Sequence, residues 1–258
     1  MDFGIKGKNA LVTGGSRGLG KQAALSLASG GVNVAIVGRT EATLKKTAGE
    51  LTAKGVKAAY VVGDVSNISG LDRLHADAVK KLGGIDILVN NAGGSVARES
   101  VDGTSLADYQ KTFELNLYGS YRLMQLVIPH MKQRKWGRII NIASIWGREY
   151  GGNIGYMSAK AALIAASKHS AVALAKDGIL VNSIAPGSIA HENGSWEKYQ
   201  RDNPKEVVDE FIKSNLPLGK FGWPEPLGDM VAFLASDRAG MITGASIVVD
   251  GGQSISMI

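Results

Sequence analysis

Short apolar runs alternate with longer amphipathic stretches along the whole 258-residue chain. The runs Asn9–Thr13, Val32–Val37, Ala58–Val62, Ile85–Val89, Arg138–Ile142, Ile179–Ile184 and Ser246–Val249 are short, rich in Ile, Val and Leu, and mostly lack polar alternation. Strands covered on both faces have this pattern. Between them, Leu19–Ser29, Glu41–Lys54, Ile68–Leu82, Leu106–Lys135, Tyr156–Lys176 and Leu227–Ser236 read as helices. Strands alternating with helices predict βαβ units, right-handed crossovers and a parallel sheet. The rhythm breaks from Pro186 to about Pro226, where the chain is polar, punctuated by Gly and Pro, and holds one short helical pattern, Lys205–Ser214. So long an interruption reads as a lid, from about Ser188 to Phe221. Its Trp196, Tyr199 and Phe211 would sit poorly in water, so the lid is expected to be mobile without ligand and to close over substrate. With no internal repeat or linker, residues 1–258 read as a single α/β domain.

Composition narrows the chemistry. Apolar residues make up 45% and charged residues 20%, as in ordinary soluble globular proteins. There is no cysteine, which removes disulfide and thiol chemistry. The four histidines, His75, His130, His169 and His191, lack metal-ligand spacing, so no metal is expected. The net charge of +6 fits either an anionic partner or a solvated surface with surplus lysine. No stripe of Lys and Arg interleaved with aromatics supports nucleic-acid binding. With no signal-like start and no run of about 18 apolar residues, a cytoplasmic chain without membrane contact is expected.

The first strand runs into Thr13-Gly14-Gly15-Ser16-Arg17-Gly18-Leu19-Gly20 and then a helix. Glycines at 14, 18 and 20 allow a tight turn, close approach to a pyrophosphate, and close helix–strand packing. The anion would rest on the free N–H groups and positive end of the helix. NAD enzymes of this build usually end the second strand in an acid that binds the adenosine ribose. Here the chain reads Val37-Gly38-Arg39-Thr40. Arg39 and Arg17 could together grip a 2′-phosphate, which favours NADP(H). Further on, Tyr156 and Lys160 are four apart at the start of a predicted helix and share a face. Around them stand Asn90-Asn91-Ala92-Gly93 at the end of the fourth strand, Asn116 in mid-helix, and Ser144 after the fifth strand.

With these motifs in this order, the chain resembles the short-chain dehydrogenase/reductase family over essentially its full length, and looks closest to its 3-oxoacyl-carrier-protein reductase-like branch. The resemblance rests on the TGxxxGxG turn at 13–20, NNAG at 90–93, Ser144, YxxxK at 156–160 and Pro186-Gly187. It implies a seven-stranded, doubly wound Rossmann-type sheet with helices on both faces, usually as a homotetramer. It also implies a catalytic tetrad of Asn116, Ser144, Tyr156 and Lys160, with Asp64-Val65 on the adenine side. The cofactor set becomes Gly14, Ser16, Arg17, Gly18, Leu19, Gly20, Arg39, Thr40, Asp64, Val65, Asn91, Ala92, Gly93, Tyr156, Lys160, Pro186, Gly187 and Ile189. Substrate contacts fall to Gly94, Ser95, Ser144, Trp146, Asn153 and Tyr156, with Val96, Ile145, Tyr150 and Ser188 near them.

Reducing a ketone needs an acid to protonate oxygen as hydride arrives at carbon. Tyrosine's ordinary pKa of about 10 is high for that task. The Lys160 ammonium and an oxidised nicotinamide are expected to lower it. Ser144 would hold the substrate oxygen, and a water-bound kink at Asn116 would extend a proton relay to Lys160. Two departures from the family stand out: Ala190 where a Thr commonly bonds the nicotinamide carboxamide, with Ser188 or His191 as replacements, and a Ser144–Tyr156 spacing one residue shorter. The expected reaction is NADP(H)-dependent interconversion of a ketone and a secondary alcohol, with a 3-oxoacyl thioester or similar medium-sized carbonyl compound as the leading substrate. A sugar or polyol substrate and a non-catalytic NADP(H) sensor are the alternatives. The alanines at 161, 162, 165, 166, 171, 173 and 175 would permit helix packing in the expected homotetramer.

Overall fold

The computed structural model describes residues 2–96 and 100–257. Strands β1 (Asn9–Thr13), β2 (Asn33–Gly38), β3 (Ala58–Val62), β4 (Ile87–Asn90), β5 (Gly137–Ile142), β6 (Ile179–Pro186) and β7 (Ser246–Val249) form one sheet in the order β3-β2-β1-β4-β5-β6-β7. Every neighbouring pair is parallel. The order reverses between β1 and β4, so a crevice opens where connections leave the carboxyl ends of those strands in opposite directions.

The uninterrupted apolar strands are divided between two cores by the pleat. Ala10 and Val12, Val34 and Ile36, Ile87 and Val89, and Ile140 and Ile142 face one side. There they meet helices α1 (Gly18–Ser29), α2 (Glu41–Thr52) and α9 (Pro224–Ala235). Leu11, Ala35, Val37, Leu88 and Ile139 face the other side. They pack against α3 (Leu71–Leu82), α5 (Gly119–Arg134) and α6 (Ile154–Leu174). Period-two side-chain direction therefore makes each strand serve both faces, which is why strict alternation is absent from the sequence.

Two elements differ from the sequence pattern. The expected helix over 106–135 is divided: α4 (Leu106–Phe113) and α5 are joined by a π-helical segment at Glu114–Tyr118. The cause is Asn116, whose Nδ2 donates to the Thr112 carbonyl at 2.8 Å and occupies an acceptor of the regular i→i−4 ladder. The interruption after β6 holds two helices, α7 (Ser195–Asp202) and α8 (Lys205–Asn215), where periodicity suggested one. Trp196, Tyr199, Phe211 and Phe221 pack on one another and on Val208 and Leu216 as a small third core. Those aromatics have partners within the lid itself, which removes the burial argument for its closure.

Candidate active site

At the crevice the carboxyl ends of six strands surround an open cleft of about 1270 Å³. Its first wall is the glycine turn between β1 and α1. Gly14 and Gly18 take left-handed φ values of +63° and +54°. A Cβ on Gly14 would lie 2.7 Å from Asn91 Nδ2, and one on Gly20 would lie 2.4 Å from the Gly14 carbonyl oxygen. The turn keeps its shape through the NNAG segment: Asn91 Nδ2 donates to the Thr13 carbonyl at 2.9 Å, and the Asn91 and Ala92 amides donate to Thr13 Oγ1 at 2.9 and 3.0 Å. Arg17 is the α1 N-cap but makes no side-chain cap bond, and the first turn holds no acid. Backbone N–H groups at this helix start are thus left for an anion, and the glycines leave room for its approach. The residues present fit the pyrophosphate of a dinucleotide.

The second wall gathers the reactive side chains. Ser144 stands two residues after the end of β5 and is buried, its Oγ accepting from the Trp146 amide at 3.2 Å. Tyr156 and Lys160 sit in the first two turns of α6, whose start is fixed by Asn153 Oδ1 accepting from the Tyr156 amide at 2.9 Å. Trp146 packs edge-on against the Tyr156 ring at 6.3 Å between centroids. Lys160 Nζ donates to the Ile142 carbonyl at 2.7 Å and lies 5.5 Å from the centre of the Tyr156 ring. One strand end therefore supplies both the serine and the acceptor that aims the lysine.

Asn116 is fully buried behind this group. Its Oδ1 accepts from the Gly94 amide at 3.0 Å and its Nδ2 donates to the Gly94 carbonyl at 2.8 Å. A Cβ on Gly93 would lie 2.7 Å from Asn116 Oδ1 and 3.0 Å from Lys160 Nζ, so both residues press on one glycine. Asn116 shapes the cleft floor; it does not line the cleft.

Among the sequence-derived cofactor residues, Gly14, Ser16, Arg17, Leu19, Arg39, Asp64, Val65, Asn91, Ala92, Gly93, Tyr156, Lys160, Pro186, Gly187 and Ile189 line the cleft. Gly18 and Gly20 lie beneath its wall as packing glycines, the former under the His191 ring. Thr40 is an exposed residue at the α2 N-cap and stands outside the cleft. Arg17 Nη1 donates to the Asn193 carbonyl in the lid at 3.1 Å, and Arg39 Nη1 is 3.9 Å from Asp64 Oδ2. Gly94, Ser95, Ser144, Trp146, Asn153 and Tyr156 all line the substrate end. Asn153 is already committed there, capping α6 and donating from Nδ2 to Ser95 Oγ at 2.8 Å.

The departure at Ala190 has a structural answer. Ala190 packs into the aromatic cluster of the lid, whereas His191 faces the cleft. The position to weigh against the family threonine is therefore 191. Ser188 also lines the cleft, but its oxygen already accepts from Gln253. Sequence reading missed Lys198, Asp202 and Asn203 of the lid, and Val101, Leu115 and Met157 of the apolar wall, all of which line the cleft. The four-residue spacing of 198 and 202 was the available signal for the lid pair.

Residues 14–254 match the family model described as enoyl-(acyl carrier protein) reductase. The chain is 37% identical over 258 residues to 3-oxoacyl-[acyl-carrier-protein] reductase of Aquifex aeolicus, covering 98% of this chain and 100% of the relative. It is 36% identical over 253 residues to the (2S)-[(R)-hydroxy(phenyl)methyl]succinyl-CoA dehydrogenase subunit BbsD of Thauera aromatica, covering 98% and 99%. L-sorbose reductase of Gluconobacter frateurii, solved with NADPH and L-sorbose, superposes with a TM-score of 0.93 at 33% identity and full coverage of both chains. Among the described residues, no group of three His, Cys, Asp or Glu side chains is placed to hold a metal, and no helix is long and apolar enough to cross a membrane.

Burial dominates the electrostatics of the two titratable groups. It pushes the Tyr156 phenol up to about 12, against a smaller downward pull from its hydrogen bond with Ser144. It pushes Lys160 down to about 7 from the ordinary lysine value of 10.5. The expected lowering of Tyr156 by Lys160 is thus not achieved by the protein groups alone; desolvation outweighs it. A consequence for stability follows. Below pH 7 both folded and unfolded chains protonate Lys160, and the cost of burying the charge is fully present. Between about 7 and 10.5 the unfolded chain binds the proton that the folded chain has released, so stability rises with pH. Across pH 7.5–9.5 the parent should gain on Lys160→Met by up to about 1.4 kcal/mol per pH unit in urea unfolding. A pH-independent difference would contradict the depressed lysine.

Proposed function

The chain belongs to the short-chain dehydrogenase/reductase family, and on that premise we propose that it is an NADP(H)-dependent oxidoreductase interconverting a ketone and a secondary alcohol. The observation that carries the reading is the convergence of Ser144, Tyr156 and Lys160 on one end of a cleft whose other end is a glycine cradle at a helix N-terminus. Gly14, Ser16, Leu19, Asn91 and Ala92 are the residues that would hold the pyrophosphate side. Arg17 and Arg39 would take a 2′-phosphate, since an arginine fork suits that anion and no acid ends β2. NADPH in the L-sorbose reductase complex supports the same choice.

When bound, the nicotinamide supplies or accepts the hydride. Tyr156 donates its phenolic proton to the carbonyl oxygen during reduction and takes it back during oxidation. Ser144 donates a hydrogen bond to the same oxygen, placing it beside the phenol. The phenolate left behind draws a proton onto Lys160, whose ammonium form then stabilises it. Asn116 acts through the Gly93–Gly94 backbone that it fixes. The protonated phenol, held high by burial, is the correct form for the donor in reduction.

The leading substrate is a 3-oxoacyl thioester or similar medium-sized carbonyl compound. Val101, Leu115, Ile154, Met157 and Trp146 give the substrate end an apolar wall, and two relatives are named for thioester substrates. Polar Ser95, Ser100 and Asn203 on the same cleft keep a sugar as the second reading, as in L-sorbose reductase. We also propose one domain over the chain and a homotetramer, for which Tyr118 just before α5, Tyr121 on α5 and Val172 on α6 supply exposed apolar surface.

Tyr156→Phe should abolish NADPH oxidation with a panel of 3-oxoacyl thioesters, sugars and small ketones, while NADPH binding by fluorescence titration stays close to the parent. Retained turnover would refute Tyr156 as proton donor, and a parent inert across the panel would favour a cofactor sensor.

NADPH should exceed NADH by at least about tenfold in kcat/KM, equivalent to roughly 1.4 kcal/mol. Pairing Gly38→Asp with Arg39→Ser should shift that ratio toward NADH. A Cβ at 38 meets Leu44 at 3.3 Å and Ser16 Oγ at 3.4 Å, a tight fit that small adjustments can accommodate. Equal use of both cofactors by the parent would overturn the role given to Arg17 and Arg39.

A further inference from the structure

Among the described residues after β7 there is no regular structure, yet groups from distant parts of the sequence hold the segment. Asp250 folds it on itself, Oδ1 accepting from the Gly252 amide at 2.9 Å and Oδ2 from the Ser254 amide at 2.6 Å. This turn brings Gln253 against the end of β6. Gln253 Oε1 accepts from the Ser188 amide at 2.7 Å, and Gln253 Nε2 donates to Ser188 Oγ at 2.9 Å. Ser188 is 4% exposed and Gln253 half-buried, so both bonds satisfy polar groups of a buried residue. A Cβ on Gly187 would lie 2.6 Å from both Asp250 Cβ and Gln253 Oε1, so only glycine lets the segment seat there.

Two residues further on, the same segment reaches the loop that follows β5. Glu149 Oε2 accepts from the Ile255 amide at 3.0 Å and the Ser256 amide at 2.9 Å. Glu149 lies between Trp146 and Tyr150, both of which line the substrate end. Neither Gln253 nor Glu149 lines the cleft itself. They can act on it only through residues that do.

We propose that residues 250–256 form a strap that fixes both walls of the cleft, with Gln253 positioning the cofactor wall through Ser188 and Glu149 positioning the substrate wall. The assignment of the walls rests on the hydride-transfer reading of the cleft. Gln253 suits its task because one planar amide offers an acceptor to an N–H and a donor to an oxygen of the same residue. A glutamate keeps the acceptor and takes the Ser188 hydroxyl proton as its second bond. A leucine of similar size makes neither bond and leaves two buried polar groups without their partner.

The test uses the full-length protein with Gln253→Leu, Gln253→Glu and Glu149→Leu. Amide hydrogen exchange without ligand reads the strap directly. Exchange across 187–190 should speed up at least about tenfold in Q253L and return to near the parent rate in Q253E. E149L should speed exchange at 255–256 and leave 187–190 unchanged. In kinetics, Q253L should raise Kd and KM for NADPH about fivefold to tenfold, as loss of a buried hydrogen bond would, with a much smaller change in kcat. E149L should raise KM for the carbonyl substrate and leave NADPH binding alone. Parent-like exchange and binding in Q253L would overturn the strap, as would equal losses in Q253L and Q253E. If Q253L fails to fold, the contrast between Q253E and E149L decides: an unsplit effect on the two KM values refutes the assignment. A parent without turnover would refute the functional reading, while the exchange data would still decide whether the strap exists.

Discussion

An amine taken out of water needs a hydrogen-bond partner where it lies, and Lys160, only 2% exposed and pushed down to about 7, is the group around which the cleft is arranged. Its Nζ donates to the carbonyl of Ile142, the last residue of β5, two residues before Ser144. Fixing the lysine to that strand end fixes its distance from Tyr156, one turn earlier on α6. On its other side stands Gly93, with no side chain to block the approach of either Nζ or Asn116. The π-helical turn at 114–118 belongs to the same arrangement, since Asn116 gives up regular helix geometry to hold Gly94 by two hydrogen bonds.

Topology brings this cluster to the glycine turn. β1 and β4 are neighbours in the sheet although the chain passes through β2 and β3 between them. Thr13 and Asn91 therefore meet across the crevice, and one hydroxyl plus one amide tie the phosphate-side turn to the strand that leads to Gly93 and Gly94. The binding end and the reacting end share these short connections, so neither wall can shift far alone. Buried Asn90, Asn141 and Ser167 continue the polar tie behind the wall, Asn90 Nδ2 to Asn141 Oδ1 at 2.9 Å and Asn141 Nδ2 to Ser167 Oγ at 2.8 Å.

Much of this was legible from residues alone because the signals are local. Apolar runs bounded by glycine located all seven strands to within a residue or two, and the spacing of Tyr156 and Lys160 placed them on one helical face. What was not legible depends on contacts between distant segments. The helix break at Asn116 needs Gly94 as a partner, twenty-two residues away. The orientation of 190 and 191 depends on the lid's aromatic core, which draws Ala190 inward and turns His191 to the cleft. α7 was missed because its aromatics, Trp196 and Tyr199, bury against Phe211 and Phe221 rather than against the sheet. The rise in Tyr156 was missed for a different reason. Its charged neighbour is visible in sequence, but the desolvation that outweighs it exists only once the cleft is built.

Proton transfer at this site depends on a phenol whose proton is held by burial and released only when positive charge is brought beside it. The direct measurement is ultraviolet titration of Tyr156 by difference against Tyr156→Phe, with and without NADP⁺. In the free protein the phenol should show no ionisation through pH 10.5, consistent with a value near 12. With NADP⁺ bound, ionisation should appear at least about one pH unit lower. A phenol that ionises below 10 in the free protein, or one that NADP⁺ leaves unmoved, would contradict the account.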